Sequence, residues 1–222
     1  MPVPDGLWLV VEAATAAGSL AVLERLGDRV RVRASCPVPM GSGRADVLTP
    51  ALSPLLHDAG CELTQLVAVV CGAGPGSFTS LRIAGAFAKG LAYGLDLPLY
   101  AVPSLLLAVG HAEVPPASGD YRVALDALRG EVYVQDVRVG SHGFIESAGP
   151  LARAAFAAVP ADALLMVNVA TDVVPRASNV RWLRDWSAFG PVPLDEWEPA
   201  YGRLAEAQVK WEASHGRALG VD

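Results

Sequence analysis

The stretch of chain from residue 66 to residue 102 constrains the fold more than any other. It contains two short apolar runs, Leu66–Cys71 and Leu97–Val102, each of the kind found in strands buried on both faces of a sheet. The first run ends in a loop with three glycines in five residues, at Gly72, Gly74 and Gly76. The segment that follows, about Ser77–Tyr93, is almost free of large side chains and is predicted to be a helix. The stretch therefore predicts a strand–helix–strand unit.

The residues before this unit predict an antiparallel meander. Three strands are expected, with Gly18 and the Gly27–Asp28 pair at the turns: Leu7–Thr15, Gly18–Leu26 and Gly27–Ser35. A helix is expected from Arg44 to Ala59, with a kink or a late start because of its two prolines. Three antiparallel strands followed by helix, strand, helix and strand form the pattern of a ribonuclease-H-like α/β unit.

A second unit of the same kind is predicted downstream. Strands are expected at Tyr121–Ala127, Gly130–Val139, Gly143–Gly149 and Ala163–Ala170, a helix over residues 151–159, and a terminal helix from Tyr201 to about His215. We therefore predict an α/β protein of two halves, residues 1–105 and 106–222, each a mixed sheet with flanking helices.

Composition excludes several classes of function. No apolar stretch is long enough to span a membrane, and the N-terminus lacks a signal-peptide pattern, so a cytoplasmic protein without membrane contact is expected. The net charge is −6 without a dense basic run, which disfavours direct binding of nucleic acid. Three cysteines and four scattered histidines show no metal-ligand spacing, so we expect reduced thiols and no metal or other cofactor.

The glycine loop has two interpretations. A loop between a strand and a helix can bind an anion through free N–H groups and the helix dipole. However, the loop matches neither the dinucleotide fingerprint nor the phosphate-binding P-loop, and Pro75 removes one N–H donor. The alternative is a tight structural turn whose helix is capped by Ser77 or Thr79.

Small residues recur along the predicted helix on two stripes, Ala84–Ala88–Ala92 and Ala86–Gly90–Gly94, with Gly85 between them. Glycine in a helix costs about 1 kcal/mol relative to alanine, so a compensating gain is expected. We expect other backbones to approach this helix on two sides. One side is its own sheet, and the other is a second helix of this chain or of another protein.

Other candidate chemistry is weak. Glu12 ends the first strand, where an actin-like fold carries an acidic residue linked to metal binding, but one acid after a strand proves little. Asp126 and Glu131 flank a turn and either meet as two carboxylates or belong to an ordinary polar hairpin. The arginines of Arg29–Arg33 indicate a solvated strand face or a phosphate-binding patch. Ser77 lacks the sequence context of a nucleophile. No catalytic residue is therefore assigned.

The central motif resembles that of a known family. Residues 74–105, GPGSFTSLRIAGAFAKGLAYGLDLPLYAVPSL, are similar to the signature of the TsaB (YeaZ) family. Residues 124–137, ALDALRGEVYVQDV, resemble a second family stretch, with Leu128 where arginine is usual. The opening strand and the PAYGR stretch near the C-terminus also match, and the likeness is weakest from about residue 140 to 195.

This resemblance implies an actin-like fold, that of the ASKHA proteins, made of two ribonuclease-H-like halves. It also implies a non-catalytic subunit that binds and activates TsaD, the paralogous enzyme that makes threonylcarbamoyladenosine at position 37 of tRNA. The resemblance further implies that the chain binds TsaD through a helix bundle, that the ATPase TsaE joins the assembly, and that tRNA is contacted only indirectly. A homodimer through the same helices is a further expectation.

The expected sites follow from this resemblance and from the residue pattern. The loop motif comprises Gly74, Pro75, Gly76, Ser77, Phe78, Thr79 and Arg82. The expected partner interface comprises Leu48, Leu52, Leu55, Leu81, Ala84, Gly85, Ala88, Leu91 and Ala92. A bulky residue at Gly85 or Ala88 is expected to block pairing without unfolding the chain.

The sequence also departs from the family. Arg44 replaces a histidine of the family, and Glu12 replaces an aspartate, which leaves at most a degenerate nucleotide site at Glu12. The alternative to a partner subunit is an independent enzyme, either an actin-fold ATPase or a glycoprotease-like hydrolase. Its support is Glu12, the glycine loop and the acids near residue 126.

Overall fold

The first half of the chain forms one mixed five-stranded sheet. The computed structural model describes residues 3–40, 47–110, 114, 116–162 and 164–201. Three strands pair in antiparallel order, β1 (Gly6–Glu12), β2 (Ala17–Leu26) and β3 (Arg29–Pro39). The strands β4 (Leu66–Gly72) and β5 (Leu99–Val102) continue the sheet parallel to β1, in the order β3-β2-β1-β4-β5. The predicted meander and parallel strands are confirmed.

Both faces of this sheet are buried. Trp8 and Val10 of β1 point to one face and Leu9 and Val11 to the other, as strand alternation requires, and all four are fully buried. Two helices cover the second face, α1 (Leu48–Ala59) and α2 (Phe78–Gly94). This double burial is why β1 and β4 are apolar at nearly every position.

The start of α1 is later than the earliest position predicted. The helix begins at Leu48, after Val47, rather than at Arg44, which lies outside the described residues. Pro50 falls in the first turn, where a missing N–H removes no intrahelical hydrogen bond. Gly60 ends the helix in the left-handed conformation, as the sequence predicts.

The second half also forms a mixed sheet. Its strands are β6 (Gly119–Leu128), β7 (Glu131–Val139), β8 (Ile145–Ala148), β9 (Ala152–Ala155) and β10 (Leu164–Met166). The order is β10-β6-β7-β8, with β9 paired to the other end of β7. β10 runs parallel to β6, and the remaining pairs are antiparallel. The fold is α/β with two mixed sheets, as predicted.

The prediction of a helix over residues 151–159 is wrong. Residues Ala152–Ala155 form β9, and Phe156–Ala158 form a single 3-10 turn. Alanine favours a helix by only a few tenths of a kcal/mol over most residues, and pairing with β7 outweighs this preference. The strand expected at Ala163–Ala170 is also shorter than predicted. The observed strand, β10, covers Leu164–Met166, and its side chains are half-buried.

The flanking helices expected in the second half are replaced by short 3-10 turns in the part that is described. These turns cover Val169–Thr171, Ala177–Trp182 and Ser187–Phe189. The terminal helix predicted from Tyr201 to about His215 lies outside the described residues after Tyr201. The division of the chain at residue 105 stays a prediction.

One hydrophobic core joins the two sheets. The face of the first sheet opposite the helices packs on Val123, Tyr133 and other residues of the second sheet. Three aromatic side chains lie at its centre: Trp186 meets Trp8 and Tyr100 edge-on, with ring centroids 4.7 and 5.9 Å apart. Edge-to-face packing of this kind is favourable beyond the area buried. The first sheet thus lies between the helix pair and the second sheet.

Candidate functional site

Close contacts within the chain explain why the loop has glycine at three positions. A Cβ on Gly72 would lie 1.9 Å from a carboxylate oxygen of Glu12. A Cβ on Gly76 would lie 2.2 Å from the carbonyl oxygen of Ala14, and one on Gly74 would lie 2.4 Å from that of Ala200. Gly74 also has a φ of +88°, which favours glycine. Each glycine therefore makes room for a neighbouring part of the same chain.

The loop amides are also used internally. Ala73 N–H donates to the carbonyl of Val102, and Gly74 N–H donates to the Ser104 hydroxyl. Ser77 N–H donates to the carbonyl of Ala14. Amides already bonded to protein oxygens are not available to a phosphate, so the geometry supports the structural turn over the phosphate-binding loop.

Of the two predicted capping residues, Ser77 and Thr79, it is Ser77 that caps α2. Its Oγ accepts hydrogen bonds from the N–H and the hydroxyl of Ser80, at 3.5 and 3.1 Å. Thr79 lies inside the first turn and is exposed. Ser80 is buried and takes part in the cap.

Glu12 is buried beneath the loop, at the end of β1. Only 1% of it is exposed. Its carboxylate accepts hydrogen bonds from Ala14 N–H at 2.6 Å and from the Ser104 hydroxyl at 2.9 Å. Burial raises the pKa of Glu12 to about 7, although these hydrogen bonds act to lower it. The carboxylate thus ties β1 to the end of β5 and, through Ser104, to the glycine loop.

A cavity of about 630 Å³ lies beside the loop, next to Ala73 and Pro103. Its charged lining consists of Arg184 and three acids, Glu146, Asp185 and Glu198. An excess of acidic side chains repels phosphate groups, so the lining does not favour a nucleotide. Among the described residues, no group of three or more His, Cys, Asp or Glu side chains lies close enough to hold a metal ion.

The buried stripe of α2 packs on the sheet of the same chain. Ala84, Ala88 and Ala92 are fully buried against β1, β4 and neighbouring strands. Their small side chains let the helix lie close to the sheet. This stripe therefore faces the chain's own sheet, although the sequence analysis placed Ala84, Ala88 and Ala92 in the partner interface.

The residues predicted for the partner interface are not on the surface. Leu91 is half-buried, and the other eight are buried in this chain: Leu48, Leu52, Leu55, Leu81, Ala84, Gly85, Ala88 and Ala92. A bulky side chain at Ala88 would collide with the core, so the expectation that it leaves the fold intact is corrected. The periodicity located the two helices but could not tell their inner from their outer faces.

A different set of residues forms the surface of α2. This exposed face consists of Thr79, Arg82, Ala86, Gly90, Tyr93 and Gly94. Tyr93 is 83% exposed, and a Cβ on Gly90 or Gly94 would meet nothing within 4 Å. The second stripe of small residues, Ala86–Gly90–Gly94, is therefore open to solvent, and Ile83 and Phe87 are half-buried towards the α1 side.

A C-terminal segment borders this face on the other side. Residues 193–201, here called the strap, run antiparallel to α2, with Pro199 packed on Gly85. The Lys89 ammonium donates to the carbonyl of Trp197, and Ala200 N–H donates to the carbonyl of Ala73. The sequence does not predict the strap, because no local pattern shows that residues so distant in sequence pack on a helix.

The remaining candidates have structural partners. The Asp126 carboxylate accepts from the N–H of Leu128 within the turn, and Glu131 forms an ion pair with Arg153. The polar-hairpin interpretation is thus supported over paired carboxylates. Arg31 and Arg33 both contact Glu24, which supports the solvated strand face over a phosphate-binding patch.

Comparisons with known proteins agree on one family. A family model described as TsaD, tRNA N6-adenosine threonylcarbamoyltransferase, matches residues 40–159, more than half of the chain. An uncharacterized protein of Mycobacterium tuberculosis is 36% identical over 165 residues, which cover 72% of this chain and 71% of that protein. The tRNA threonylcarbamoyladenosine biosynthesis protein TsaB of Haemophilus influenzae is 30% identical over 129 residues, or 58% of this chain and 52% of that protein.

The solved structures point the same way. A Pseudomonas aeruginosa protein described as similar to the peptidase YeaZ superposes with a TM-score of 0.72 at 26% identity. The match covers 89% of this chain and all of that one. The chain belongs to the TsaB (YeaZ) family. Its actin-like, ribonuclease-H-like fold is that of the family, and the match to the TsaB of Haemophilus influenzae spans about half of that relative's length.

Within the described part of this TsaB-family chain, no helix is long and apolar enough to cross a membrane. The family's loop motif, Gly74–Thr79, lies under the strap and at the start of α2. The loop thus fixes the N-terminal end of α2, the helix whose outer face is exposed. The site with the best claim to function is therefore the exposed face of α2, between α1 and the strap.

Proposed function

We propose that this chain is the non-catalytic subunit that binds and activates a TsaD-like threonylcarbamoyltransferase. That enzyme would transfer the threonylcarbamoyl group to adenosine 37 of certain tRNAs. The observation that carries the proposal is the open stripe of small residues on α2, Ala86–Gly90–Gly94, in a chain of the TsaB family. Membership of the TsaB family supports the identity of the partner, and the exposed stripe supports the location of the contact surface.

The exposed face of α2 suits a second helix. Helices pack at axis separations of about 8–10 Å, and small side chains at the contact allow the shorter distances. Ala86 and Gly90 form the floor of the face, while Ile83 and Phe87 on the α1 side supply apolar area. Two helices from each protein would form the helix bundle. The proposed interface thus consists of residues other than the buried set predicted from the sequence.

The described charges favour contact with tRNA only through the partner. Arg25, Arg31, Arg122 and Arg138 each form an ion pair with a carboxylate of this chain. Paired cations attract phosphate weakly, and the whole chain carries a net charge of −6. The partner would thus hold both the tRNA and the catalytic centre, and a TsaE-like ATPase would join the assembly.

The proposal is tested by mixing the purified chain with the TsaD-like enzyme of the same organism. The complex is measured by size-exclusion chromatography with light scattering, with ATP and the TsaE-like protein present. Ala86→Arg is expected to abolish the complex, because a long charged side chain would fill the floor of the exposed face. Ala157→Arg is the matched control, since Ala157 is exposed on the second half of the chain.

The outcomes distinguish a wrong interface from a wrong function. If Ala86→Arg forms the complex as well as the wild type does, the interface lies elsewhere. If the wild-type chain forms no complex, the partner role is wrong and the independent ATPase or hydrolase becomes the leading hypothesis. Turnover of ATP or peptide by the purified chain alone, lost in Glu12→Ala, would establish that alternative.

A homodimer is a second use of the same face when the partner is missing. An open helix face that fits another protein's helix is also able to pack on its own copy about a twofold axis. Light scattering of the chain alone over a range of concentrations measures this. Loss of the dimer in Ala86→Arg is expected, whereas a dimer that persists would use another surface.

A further inference from the structure

A single arginine stands out on the exposed face of α2. Arg82 is exposed between Thr79 and Ala86, one turn after the start of the helix. Its guanidinium carbon lies 5.3 Å from the centre of the Phe78 ring. Stacking over an aromatic ring holds a guanidinium in place while its N–H groups remain available for other bonds.

The ring beneath Arg82 is itself fixed by the strap. Phe78 packs against Tyr201 with ring centroids 4.7 Å apart. The Tyr201 hydroxyl donates to Glu198, whose other carboxylate oxygen lies 3.7 Å from the Lys89 ammonium. Burial, followed by the neighbouring Glu198 carboxylate, raises the pKa of Tyr201 to about 12, so its hydroxyl keeps its proton. Phe78 is therefore packed between Arg82 and Tyr201, so less side-chain entropy is lost when a partner binds here.

Among the residues that the structure describes, no carboxylate forms an ion pair with Arg82. Glu198 is already shared by Lys89 and Tyr201. The other residues of the exposed face are uncharged. A helix that packs on this face removes water from the guanidinium. Desolvating an arginine is costly unless a carboxylate takes the place of the water.

We propose that the partner presents an aspartate or glutamate to Arg82, and that this ion pair fixes how the partner helix is placed along α2. The inference rests on the proposed function and adds the chemistry of the partner at that site. A planar guanidinium binds a carboxylate through two parallel hydrogen bonds, which fixes position as well as adding affinity. Small residues at Ala86 and Gly90 alone would let a helix slide along the face.

The test is the affinity of the chain for its TsaD-like partner, measured by isothermal titration calorimetry at several NaCl concentrations. Arg82→Gln is expected to weaken binding at least tenfold at low salt and to flatten the salt dependence. Arg29→Gln removes the same charge from an exposed position on β3 and is expected to bind like the wild type. Phe78→Leu keeps the charge but removes the ring, and an intermediate loss is expected.

Each outcome decides between hypotheses. Equal affinity and equal salt dependence for Arg82→Gln and the wild type would overturn the ion pair while leaving the partner role intact. Weaker binding of tRNA alone by Arg82→Gln, without a change in partner affinity, would assign Arg82 to a phosphate instead. No binding by the wild type would overturn the partner role and this inference with it. A charge exchange completes the test: Arg82→Glu in this chain is combined with a basic residue in place of one acid of the partner. Recovery of affinity in this combination would confirm the ion pair.

Discussion

Single residues around the glycine loop have defined structural causes. Gly72 makes room for the Glu12 carboxylate, and Gly76 makes room for the backbone at Ala14. Glu12 is held by Ala14 N–H and by the Ser104 hydroxyl, which in turn accepts the N–H of Gly74. At the scale of the residue, the loop motif is explained by contacts within the chain.

The ionisation of Glu12 predicts a pH dependence of stability. Its pKa is raised from 4.5 to about 7 by burial, so the folded chain holds the proton more tightly than the unfolded chain does. The resulting stability is fully present below about pH 4.5 and is lost as the pH rises through 7, up to about 3 kcal/mol in all. Glu12→Gln removes this dependence, so the variant is expected to gain stability relative to the wild type between pH 5 and pH 8.5.

Chemical denaturation at each pH measures the effect. The side-chain amide that Glu12→Gln introduces can still accept from Ala14 N–H and can donate to the Ser104 oxygen, so the local packing is kept. Glu196→Gln, at an exposed position, is the control and should follow the wild type at every pH. A constant difference between Glu12→Gln and the wild type over the whole range would show that Glu12 does not titrate there.

At the scale of the element, α2 has three distinct sides. One carries buried alanines against the sheet, one meets the strap at Gly85, and one is open at Ala86 and Gly90. The sequence shows two stripes on this helix, and both consist of small residues, so residue type does not tell the inner stripe from the outer one. Only the packing of the helix on the sheet distinguishes them.

The open side of α2 predicts a stabilising substitution. A Cβ on Gly90 meets nothing within 4 Å, and Gly90 lies inside the helix. Gly90→Ala is expected to raise the free energy of unfolding by about 0.5–1 kcal/mol, because alanine loses less backbone entropy in a helix. Thermal unfolding followed by circular dichroism gives the change.

The contrasting substitution is Gly76→Ala in the loop. Its Cβ would lie 2.2 Å from a backbone oxygen that cannot move freely, so a marked loss of stability is expected. If both variants changed stability in the same direction, the assignment of Gly76 to a packed position and Gly90 to an open one would be wrong.

Elements with strong local signals were predicted well. The apolar runs of β1 and β4 and the helix end at Gly60 appear where the sequence places them, and the cap of α2 is one of the two candidates, Ser77. The alanine-rich residues 151–159 were not, because the helix preference of alanine is weak compared with the gain from pairing with a neighbouring strand. Pairing of Ala152–Ala155 with Glu131–Val134 on β7 decides their structure.

At the scale of the whole molecule, the two sheets share one core. Trp8 and Tyr100 come from the first sheet, and Trp186 comes from a loop of the second half. The 3-10 turn Ser104–Ala108 is entirely buried in the same region. Neither half buries its inner face without the other.

The shared core predicts that the two halves unfold together. Trp186→Ala is expected to destabilise the chain by roughly 3–5 kcal/mol through loss of a large buried aromatic side chain. Calorimetry should show a single transition for the wild type and the variant, at a lower temperature for the variant. Phe156→Ala, at a side chain that is 49% exposed, should have a small effect. Two separate transitions in the wild type would mean that the halves are independent domains.

The sequence by itself determined the succession of strands and helices in the first half, the glycine turn and the family. Each of these depends on local periodicity, on turn chemistry or on a contiguous motif. The tertiary structure alone decided which side of α2 is open, how the strap fixes Phe78 beneath Arg82, and why Glu12 is buried. These features join residues more than ninety positions apart, such as Glu12 with Ser104 and Lys89 with Trp197. Contacts across such distances depend on how the elements pack, and no local pattern of residues records that packing.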